Sequence, residues 1–257
     1  MKNTGLITAI ITLFVLTNAF AQEYKIKVSG SKTLNIKDVN KVNVEGYEGS
    51  EIIFTTVERR SSRSERAEGL TAIGAMGLED NTGIGLSVKE SGEVIEVQPM
   101  SKRSGGRYLI KVPSNVKIYY EHSSNYGSKF NVSNISSEIE ISTNYNSINL
   151  ENVTGPMTIN TVHGKVEVVF STVNQSNPIS IVSIHGLIDV SLPANTKANI
   201  RMSSGWGELY TDLDINFDQT ANEMRSKSTK VSGKLNGGGV TIDLSTSHNN
   251  IYLREKK

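Results

Sequence analysis

The sequence has 257 residues, a formal net charge of +1 and no cysteine. Charges so nearly balanced give no overall field to attract nucleic acid or acidic lipid, so an electrostatic partner would have to meet a local patch. The lack of cysteine excludes disulfides and a lipid-carrying thioether, which leaves burial and hydrogen bonding to hold the fold.

The first 21 residues are typical of a secretory signal peptide. Lys2 supplies a positive start, residues 6–20 are mostly apolar, and Ala19-Phe20-Ala21 places small residues where a signal peptidase cleaves. An apolar stretch of about 15 residues is shorter than the roughly 20 that a spanning helix needs. We therefore expect residues 1–21 to be removed, and a mature chain of residues 22–257 to be exported to the periplasm, the outer surface or the medium.

The mature chain alternates polar and apolar residues in short runs, which is the pattern of half-buried strands. The clearest runs are residues 25–28, 41–44, 138–141, 165–168 and 240–244. Clusters of Asn, Gly, Ser and Pro separate the runs and predict turns. Because a helical period near 3.6 is not sustained anywhere, the sequence predicts an all-β fold.

A repeat of about 20 residues organises these strands. Five turn-like tripeptides recur at intervals of 18 to 22 residues, each with an aromatic residue or histidine at its centre. Their central residues are Tyr126, Tyr145, His163, His185 and Trp206. Each unit holds two strands and two turns, and the stretch from Leu109 closely parallels the one from Leu187. We expect a single domain over residues 22–257, with insertions near 58–85 and 212–235 that interrupt the repeat.

Two folds can use such a repeat. In a β-solenoid the units stack in parallel, strand on strand about 4.8 Å apart. In an antiparallel sandwich or meander the same runs would pair through hairpins. Few turns have the two-residue form that tight hairpins favour, so the solenoid is the better prediction, but the pattern alone leaves both open.

Several segments resemble the bacterial putative adhesin family with β-strand repeats, which is common in Bacteroidetes. They are the signal ending AFAQ, ERAEGL from Glu65, DNTGIGL from Asp80, YLIKVP from Tyr108 and NGGGVTIDLSTSHNNIYLR from Asn236. The resemblance covers nearly all of the mature chain. It implies a right-handed parallel β-helix with one strand-built coil per repeat, an adhesin-like role by analogy, and no assigned catalytic residues.

The five central residues of the tripeptides are the best candidate site. In a solenoid Tyr126, Tyr145, His163, His185 and Trp206 would line one edge. Stacked rings at such an edge would stabilise the coils by roughly 0.5–1.5 kcal/mol per pair. Flat, exposed rings could also bind sugar rings or a partner protein, so both interpretations stay open.

Metal sites and catalysis have weaker support. His163 and His185 would lie on adjacent coils, but the register offers no third metal ligand. Asp212, Asp214 and Asp218 alternate along one run, which leaves calcium open although alternation alone predicts a solvated face. The chain lacks Gly-x-Ser-x-Gly, His-Glu-x-x-His and phosphate-loop motifs, and nothing in it calls for a cofactor.

The sequence therefore predicts a non-catalytic, exported cell-envelope protein with an adhesin-like surface or interaction role. The alternatives are a carbohydrate-binding module that uses the aromatic edge and, with less support, a carbohydrate-active β-helix enzyme. An envelope polysaccharide or a surface protein is the expected partner, and nucleic acid is not. The oligomeric state stays open.

Overall fold

The chain forms a stack of short β-strands in the computed structural model. The structure describes residues 23–57, 65–67, 69–74, 77–101, 106–218 and 229–257. The expected signal peptide, residues 1–21, lies outside these ranges, and so do parts of both expected insertions. The described residues hold 21 strands and a single turn of 3-10 helix, at Glu65–Ala67.

The strands are short and follow one another closely along the chain. The first eleven are β1 (Glu23–Lys27), β2 (Thr33–Lys37), β3 (Lys41–Tyr47), β4 (Glu51–Thr56), β5 (Leu86–Ser91), β6 (Val94–Pro99), β7 (Arg107–Pro113), β8 (Lys117–His122), β9 (Lys129–Ser133), β10 (Ile139–Thr143) and β11 (Ser147–Val153). The others are β12 (Met157–Thr161), β13 (Val166–Phe170), β14 (Ile179–Ser183), β15 (Ile188–Leu192), β16 (Ala198–Ser204), β17 (Leu209–Thr211), β18 (Ile215–Phe217), β19 (Thr229–Leu235), β20 (Val240–Thr246) and β21 (Ile251–Glu255).

These strands make two sheets. Sheet A has the order β1-β4-β7-β3-β9-β11-β13-β15-β21-β17, and sheet B the order β18-β19-β16-β20-β14-β12-β10-β8-β2-β6-β5. A coil consists of one strand of sheet B, a turn that we call the B-to-A turn, and one strand of sheet A. Strands of neighbouring coils pair in parallel and in register, as β10 does with β12 and β11 with β13. The predicted all-β parallel solenoid is confirmed.

Each sheet buries one face because its residues alternate inward and outward. On sheet B one inward row is entirely apolar: Leu34, Ile118, Ile139, Met157, Ile179, Ile242 and Ile200. On sheet A the facing row is Val42, Phe130, Ile148, Val166, Ile188 and Ile251. All of these side chains are at most 1% exposed. The interior is therefore an apolar column that runs the length of the stack, as a solenoid requires.

The spatial order of the coils differs from their sequence order at both ends. The described strands form eight coils, which in spatial order are β6–β7, β2–β3, β8–β9, β10–β11, β12–β13, β14–β15, β20–β21 and β16–β17. The second coil therefore comes from the start of the chain and the seventh from its end. Each is inserted between two coils that are consecutive in sequence.

The turns that step over the inserted coils belong to the two segments that match most closely in sequence. One turn leads from β7 to β8 and contains Pro113, and the other leads from β15 to β16 and contains Pro193. Both close with the same backbone bond, from the N–H of Val116 or Thr196 to the proline carbonyl, at 2.9 and 3.0 Å. The internal match thus reflects a shared structural task, a step across two coil spacings.

Antiparallel strands cover both ends of the stack. At one end β4 pairs with β7 and β1 with β4 in sheet A, while β5 pairs with β6 in sheet B. At the other end β19 pairs with β16 and β18 with β19. Part of the insertion near 212–235 therefore continues sheet B. Such strands cover edges that would otherwise offer unpaired backbone groups to another chain.

Candidate functional site

Four rings form a continuous stack along the edge made by the B-to-A turns. We call Tyr145, His163, His185 and His248 the ring column. Successive ring centroids are 4.8, 4.8 and 4.6 Å apart, and the first two pairs are within 14° of parallel. The spacing equals that of neighbouring β-strands, so each coil contributes one ring to the column.

The backbone holds the rings at this spacing because the parallel ladder continues through the turns. The His163 N–H donates to the Asn144 carbonyl at 2.9 Å, and the His185 N–H to the Val162 carbonyl at 2.7 Å. The His248 N–H donates to the Ile184 carbonyl at 3.0 Å. Each turn is thus fixed to the one before it, and the rings are positioned before any partner arrives.

A buried row of small polar residues lies directly beneath the column, at the ends of the sheet B strands. The row consists of Thr143, Thr161, Ser183, Thr246 and Ser204, which occupy one register. The Ser183 and Ser204 hydroxyls each accept the N–H of the glycine three residues later, Gly186 and Gly207, at 2.8 Å. These bonds satisfy buried donors inside the turns and fix their shape.

The structure corrects the predicted order of the edge. Tyr145, His163 and His185 do lie on adjacent coils, but His248 comes between His185 and Trp206 because the last coil of the chain is inserted there. Tyr126 and Trp206 occupy the turns at either side of the column, 51% and 70% exposed. The five predicted residues share one edge, yet they are not neighbours throughout.

His248 is the site residue that sequence reasoning missed. It follows the strand β20 as His185 follows β14, and the next residue, Asn249, takes the place of the glycine. Asn146 does the same after Tyr145. The predicted register already included Asn in place of Gly, at Asn146. His248 was missed because it follows the insertion near 212–235, which breaks the spacing of about 20 residues, and its place between two earlier coils could not be read from that spacing.

The ring column has a definite chemical character. Its rings use their faces on one another, so they offer solvent their edges, with imidazole nitrogens and a phenol hydroxyl as hydrogen-bonding groups. A sugar ring that packs on an aromatic face needs a free face, which the inner rings lack. The column therefore suits a partner that is bound through ring edges.

The column is not arranged as a metal site. A nitrogen lone pair lies in the plane of its imidazole, and the planes of His163 and His185 are 8° from parallel at 4.8 Å. Their lone pairs therefore point side by side, whereas zinc needs nitrogens that converge on it at about 2.0–2.1 Å. Within the described part of the chain no three His, Cys, Asp or Glu side chains are grouped to hold a metal.

Asp212, Asp214 and Asp218, the candidate calcium ligands, make different contacts in the structure. The Asp212 carboxylate accepts the Glu255 N–H at 2.8 Å, at the end of sheet A. The Asp218 carboxylate accepts the Ser232 hydroxyl at 2.9 Å, beside β18 and β19. The first bond joins the residue after β17 to β21, and the second joins the residue after β18 to β19, while Asp214 is exposed between them.

Tyr120 joins three coils beneath the same edge. Its hydroxyl donates to the Val39 carbonyl at 2.8 Å and accepts the Asn146 amide at 2.9 Å, while its ring stacks on Phe130 at 3.8 Å. Burial, reinforced by the Asp38 carboxylate, raises the pKa of the Tyr120 phenol well above its usual value. The hydroxyl thus stays neutral and continues to donate at any physiological pH.

Replacing Tyr120 by phenylalanine is expected to lower the stability by about 1–3 kcal/mol. The ring and its stacking remain, but the Val39 carbonyl and the Asn146 amide lose their partner inside the protein. Thermal unfolding monitored by circular dichroism measures the change, with Tyr119→Phe as a control because Tyr119 lies on the outer face of β8. Equal melting temperatures for the two variants would contradict the bridging role of the hydroxyl.

A second aromatic group lies on the outer face of sheet A, at its last two strands. The rings of Tyr210 and Tyr252 stack at 5.1 Å and 7°. The Arg254 guanidinium lies over the Tyr252 ring, 5.4 Å from its centre, and bonds Asp189 at 2.8 Å. Tyr210 also donates its hydroxyl to Glu208, a bond that raises the pKa of Tyr210.

The ionised Asp189 side chain lowers the stability of the fold even though it forms an ion pair with Arg254. Burial raises the pKa of the Asp189 carboxyl, and the nearby Arg254 guanidinium lowers it by less. A folded-state pKa above the unfolded value gives a stabilising contribution below the unfolded pKa, which is lost as the pH rises through the folded one. At neutral pH the ionised Asp189 therefore lowers the stability.

We expect Asp189→Asn to keep or raise the melting temperature at pH 7. The difference from the parent should vanish towards about pH 3, where the carboxyl is mostly protonated in both states. Melting temperatures of both proteins between pH 3 and pH 8, roughly the range that spans this titration, measure the effect. A lower melting temperature of the variant at pH 7 would mean that the ion pair outweighs burial.

Comparison with known proteins gives a family and a set of distant structural likenesses. The sequence model of the family Toastrack DUF4097 matches residues 127–254. No curated protein matches the sequence. Within the part of the chain that the structure describes, no helix is both long and apolar enough to cross a membrane.

The solved structures that resemble this one are bacterial. A putative cell adhesion protein from Clostridium sporogenes is 14% identical, with 92% of this chain and 100% of that one covered and a TM-score of 0.44. A putative adhesin from Bacteroides fragilis is 10% identical, with 91% and 96% covered and a TM-score of 0.31. One from Parabacteroides distasonis is 11% identical, with 93% and 98% covered and a TM-score of 0.27. Likeness at this level says nothing about the role of the present chain.

The matched residues, 127–254, begin at the turn before β9 and end within β21. They include every ring of the column and both tyrosines of the outer face. The resemblance to a family of uncharacterised function is thereby confirmed, and residues 127–254 form a Toastrack DUF4097 domain.

Proposed function

We propose that the chain is a non-catalytic, exported protein of a bacterial cell envelope with an adhesin-like role, and that the edge of B-to-A turns is its contact surface. One observation carries the proposal. Large exposed aromatic side chains and histidines concentrate along this edge, from Tyr126 through the ring column to Trp206. An exposed row of this kind on a rigid scaffold is typical of an interaction site.

The rest of the molecule supports a scaffold role. Its interior is filled by apolar rows, and the polar row beneath the column is engaged in bonds within the turns. The expected signal peptide, residues 1–21, would bring the mature chain out of the cytoplasm. A fold without cysteine that is held by a long apolar core can persist there in any redox condition.

The ring edges suit a polar partner, either an envelope polysaccharide or a surface protein. Imidazole nitrogens can donate or accept, and the Tyr145 hydroxyl can do both, so the column presents a hydrogen-bonding group every 4.6–4.8 Å. A regular polymer with hydroxyl, amide or carboxylate groups at a matching spacing could contact several rings at once. Such repeated weak contacts give avidity without a deep pocket.

Retention of the labelled mature chain, residues 22–257, on intact cells and on purified envelope polysaccharide tests the proposal. We expect Tyr145→Ala and Trp206→Ala to reduce retention at least about tenfold, whereas Asn195→Ala, at the opposite edge, leaves it unchanged. Trp206→Ala is the sharper variant because Trp206 lies beyond the stacked rings. Its melting temperature should stay close to that of the parent.

Four results would contradict the proposal or change the class of partner that it names. Equal retention of all variants would exclude the edge as the contact surface. Loss of retention after protease treatment of the cells would identify a protein partner, and retention on polysaccharide alone would favour the carbohydrate-binding alternative. Release of product from any polysaccharide would show that the chain is an enzyme.

A further inference from the structure

The outer face of sheet A carries a second feature, separate from the edge of turns. Between β17 and β21 there is a groove of about 330 Å³, lined by Tyr210, Thr211, Asp212, Tyr252, Leu253 and Arg254. Its volume lies at the lower end of the range of small-molecule sites, about 300–1,000 Å³. One or two sugar-sized rings would fill it.

We propose that this groove binds a neutral saccharide, which contacts the Tyr210 and Tyr252 side chains and bonds its hydroxyls to Asp212 and Arg254. The proposal is independent of the role of the ring column, since the two sites lie on different surfaces. It rests on the order of the side chains along the sheet, on their charges and on the fixed positions of the polar groups.

The aromatic part of the groove is built as a layered stack. The layers are the Arg254 guanidinium and the Tyr252 ring, both from β21, and the Tyr210 ring from β17. Tyr210 is 44% exposed and lines the groove, so part of its ring is open to a ligand there. The apolar C–H groups of a pyranose can pack against this exposed part.

The polar part of the groove can both accept hydrogen bonds from hydroxyl groups and donate hydrogen bonds to them. The Asp212 carboxylate only accepts hydrogen bonds and the Arg254 guanidinium only donates them, whereas a sugar hydroxyl does both. Asp212 is held by the Glu255 N–H at 2.8 Å, and Arg254 is held by Asp189 at 2.8 Å. Both groups are thus preorganised before a ligand binds, which lowers the entropic cost of binding.

The charges around the groove favour a neutral ligand over a charged one. Asp189 offsets Arg254, and this leaves Asp212 and Glu208 as an excess of negative charge that disfavours uronates, sulfates and phosphates. The guanidinium inside the groove in turn disfavours a lysine or arginine side chain. A neutral, polyhydroxylated ring meets neither penalty.

The loss of stability caused by ionised Asp189 also supports a binding role for this groove. Its burial raises the pKa of its carboxyl, so the ionised group lowers stability at neutral pH. The Asp189 carboxylate bonds Arg254, which lies over the Tyr252 ring. Costs of this kind concentrate at sites that bind or react.

Titration of the mature chain with neutral oligosaccharides tests the proposal. The probes are di- and trisaccharides of glucose, galactose, mannose and N-acetylglucosamine, with binding followed by saturation-transfer NMR and calorimetry. We expect at least one probe to bind with a dissociation constant near or below about 1 mM. Tyr210→Ala should weaken that binding at least about tenfold, while Tyr210→Phe, which keeps the ring, should retain most of it.

The control is Tyr119→Ala, which removes a partly exposed tyrosine from the outer face of sheet B and should leave binding unchanged. Melting temperatures of all variants exclude unfolding as the cause of a loss. The proposal is overturned if no neutral probe binds, if Tyr119→Ala weakens binding as much as Tyr210→Ala, or if oligouronates or oligolysine bind more tightly than every neutral probe. If ring-column variants lose cell retention and still bind the saccharide, the groove is a site separate from the ring column.

Discussion

Replacement of Gly186 by alanine is expected to destabilise the protein by about 3 kcal/mol or more. Gly186 lies in the B-to-A turn of the sixth coil, where the backbone of the fifth comes very close. A β-carbon built on Gly186 would lie 1.9 Å from the Gly164 carbonyl oxygen. That oxygen belongs to a hydrogen-bonded turn, so it cannot move without lengthening the ladder between the two coils.

The same substitution should also disturb the ring column. Wider spacing of the two coils would stretch the bond from the His185 N–H to the Val162 carbonyl, now 2.7 Å, and separate the His163 and His185 rings. Thermal unfolding gives the loss of stability, and the histidine ring signals in an NMR spectrum report the stacking. For a chain of this size each kcal/mol corresponds to roughly 2–4 °C in melting temperature.

Gly106→Ala is the matched control. A β-carbon there would meet its nearest neighbour, the Thr56 hydroxyl oxygen, at 3.4 Å, which is ordinary contact. We expect its melting temperature to stay close to that of the parent. A Gly186→Ala protein that melts within about 2 °C of the Gly106→Ala protein would show that the coils are not as close at this turn as the structure has them.

The coils could be predicted from the sequence because their cause is local. Alternation of apolar and polar residues decides which side of a strand is buried, and turn residues decide where the strand ends. Both signals are complete within about 20 residues, as in the unit that holds Tyr145 and β11. Repetition of such a unit then leaves stacking as the way to bury its inner face.

The order of the coils could not be predicted in the same way. Insertion of β20–β21 between two earlier coils depends on which sheet edges meet, and no short stretch of sequence encodes that choice. The two segments that begin at Leu109 and Leu187 carried the signal, since they match each other and each contains the longer step. Their likeness predicted a repeat, but it reflects the turn that each segment uses to step over an inserted coil.

The candidate sites, too, were predictable where spacing in the sequence decides the contact and not where the order of the coils decides it. Tyr145, His163 and His185 were predicted to share an edge because their coils are consecutive both in sequence and in space. The pair of Tyr210 and Tyr252 was not predicted, since the two residues are far apart in sequence and meet only through the inserted coil. Contacts that insertion creates are invisible to a search for periodic residues.

Removal of β21 is expected to unfold the C-terminal end of the stack, although it deletes only the last seven residues, 251–257. In a solenoid with coils in sequence order such a deletion would trim an end strand. Here β21 lies between β15 and β17 and pairs with both, so two ladders are lost. The buried side chains of Ile251 and Leu253 are lost as well, at about 2–5 kcal/mol each if judged by substitutions to alanine.

Deletion of β1, residues 23–27, is the matched control in a chain that starts at Val28. This strand also has five residues and lies near a chain terminus, but it is the outermost strand of sheet A, beside β4, and it buries little. We expect a small fall in melting temperature for the β1 deletion and loss of the cooperative transition, or of soluble protein, for the β21 deletion. Hydrogen exchange should show faster exchange in β16 and β17 of any soluble β21 deletion, while β10 to β13 remain protected. Similar, mild losses from both deletions would mean that the inserted coil adds no more than an end strand does, and that the stack is held by its middle coils alone.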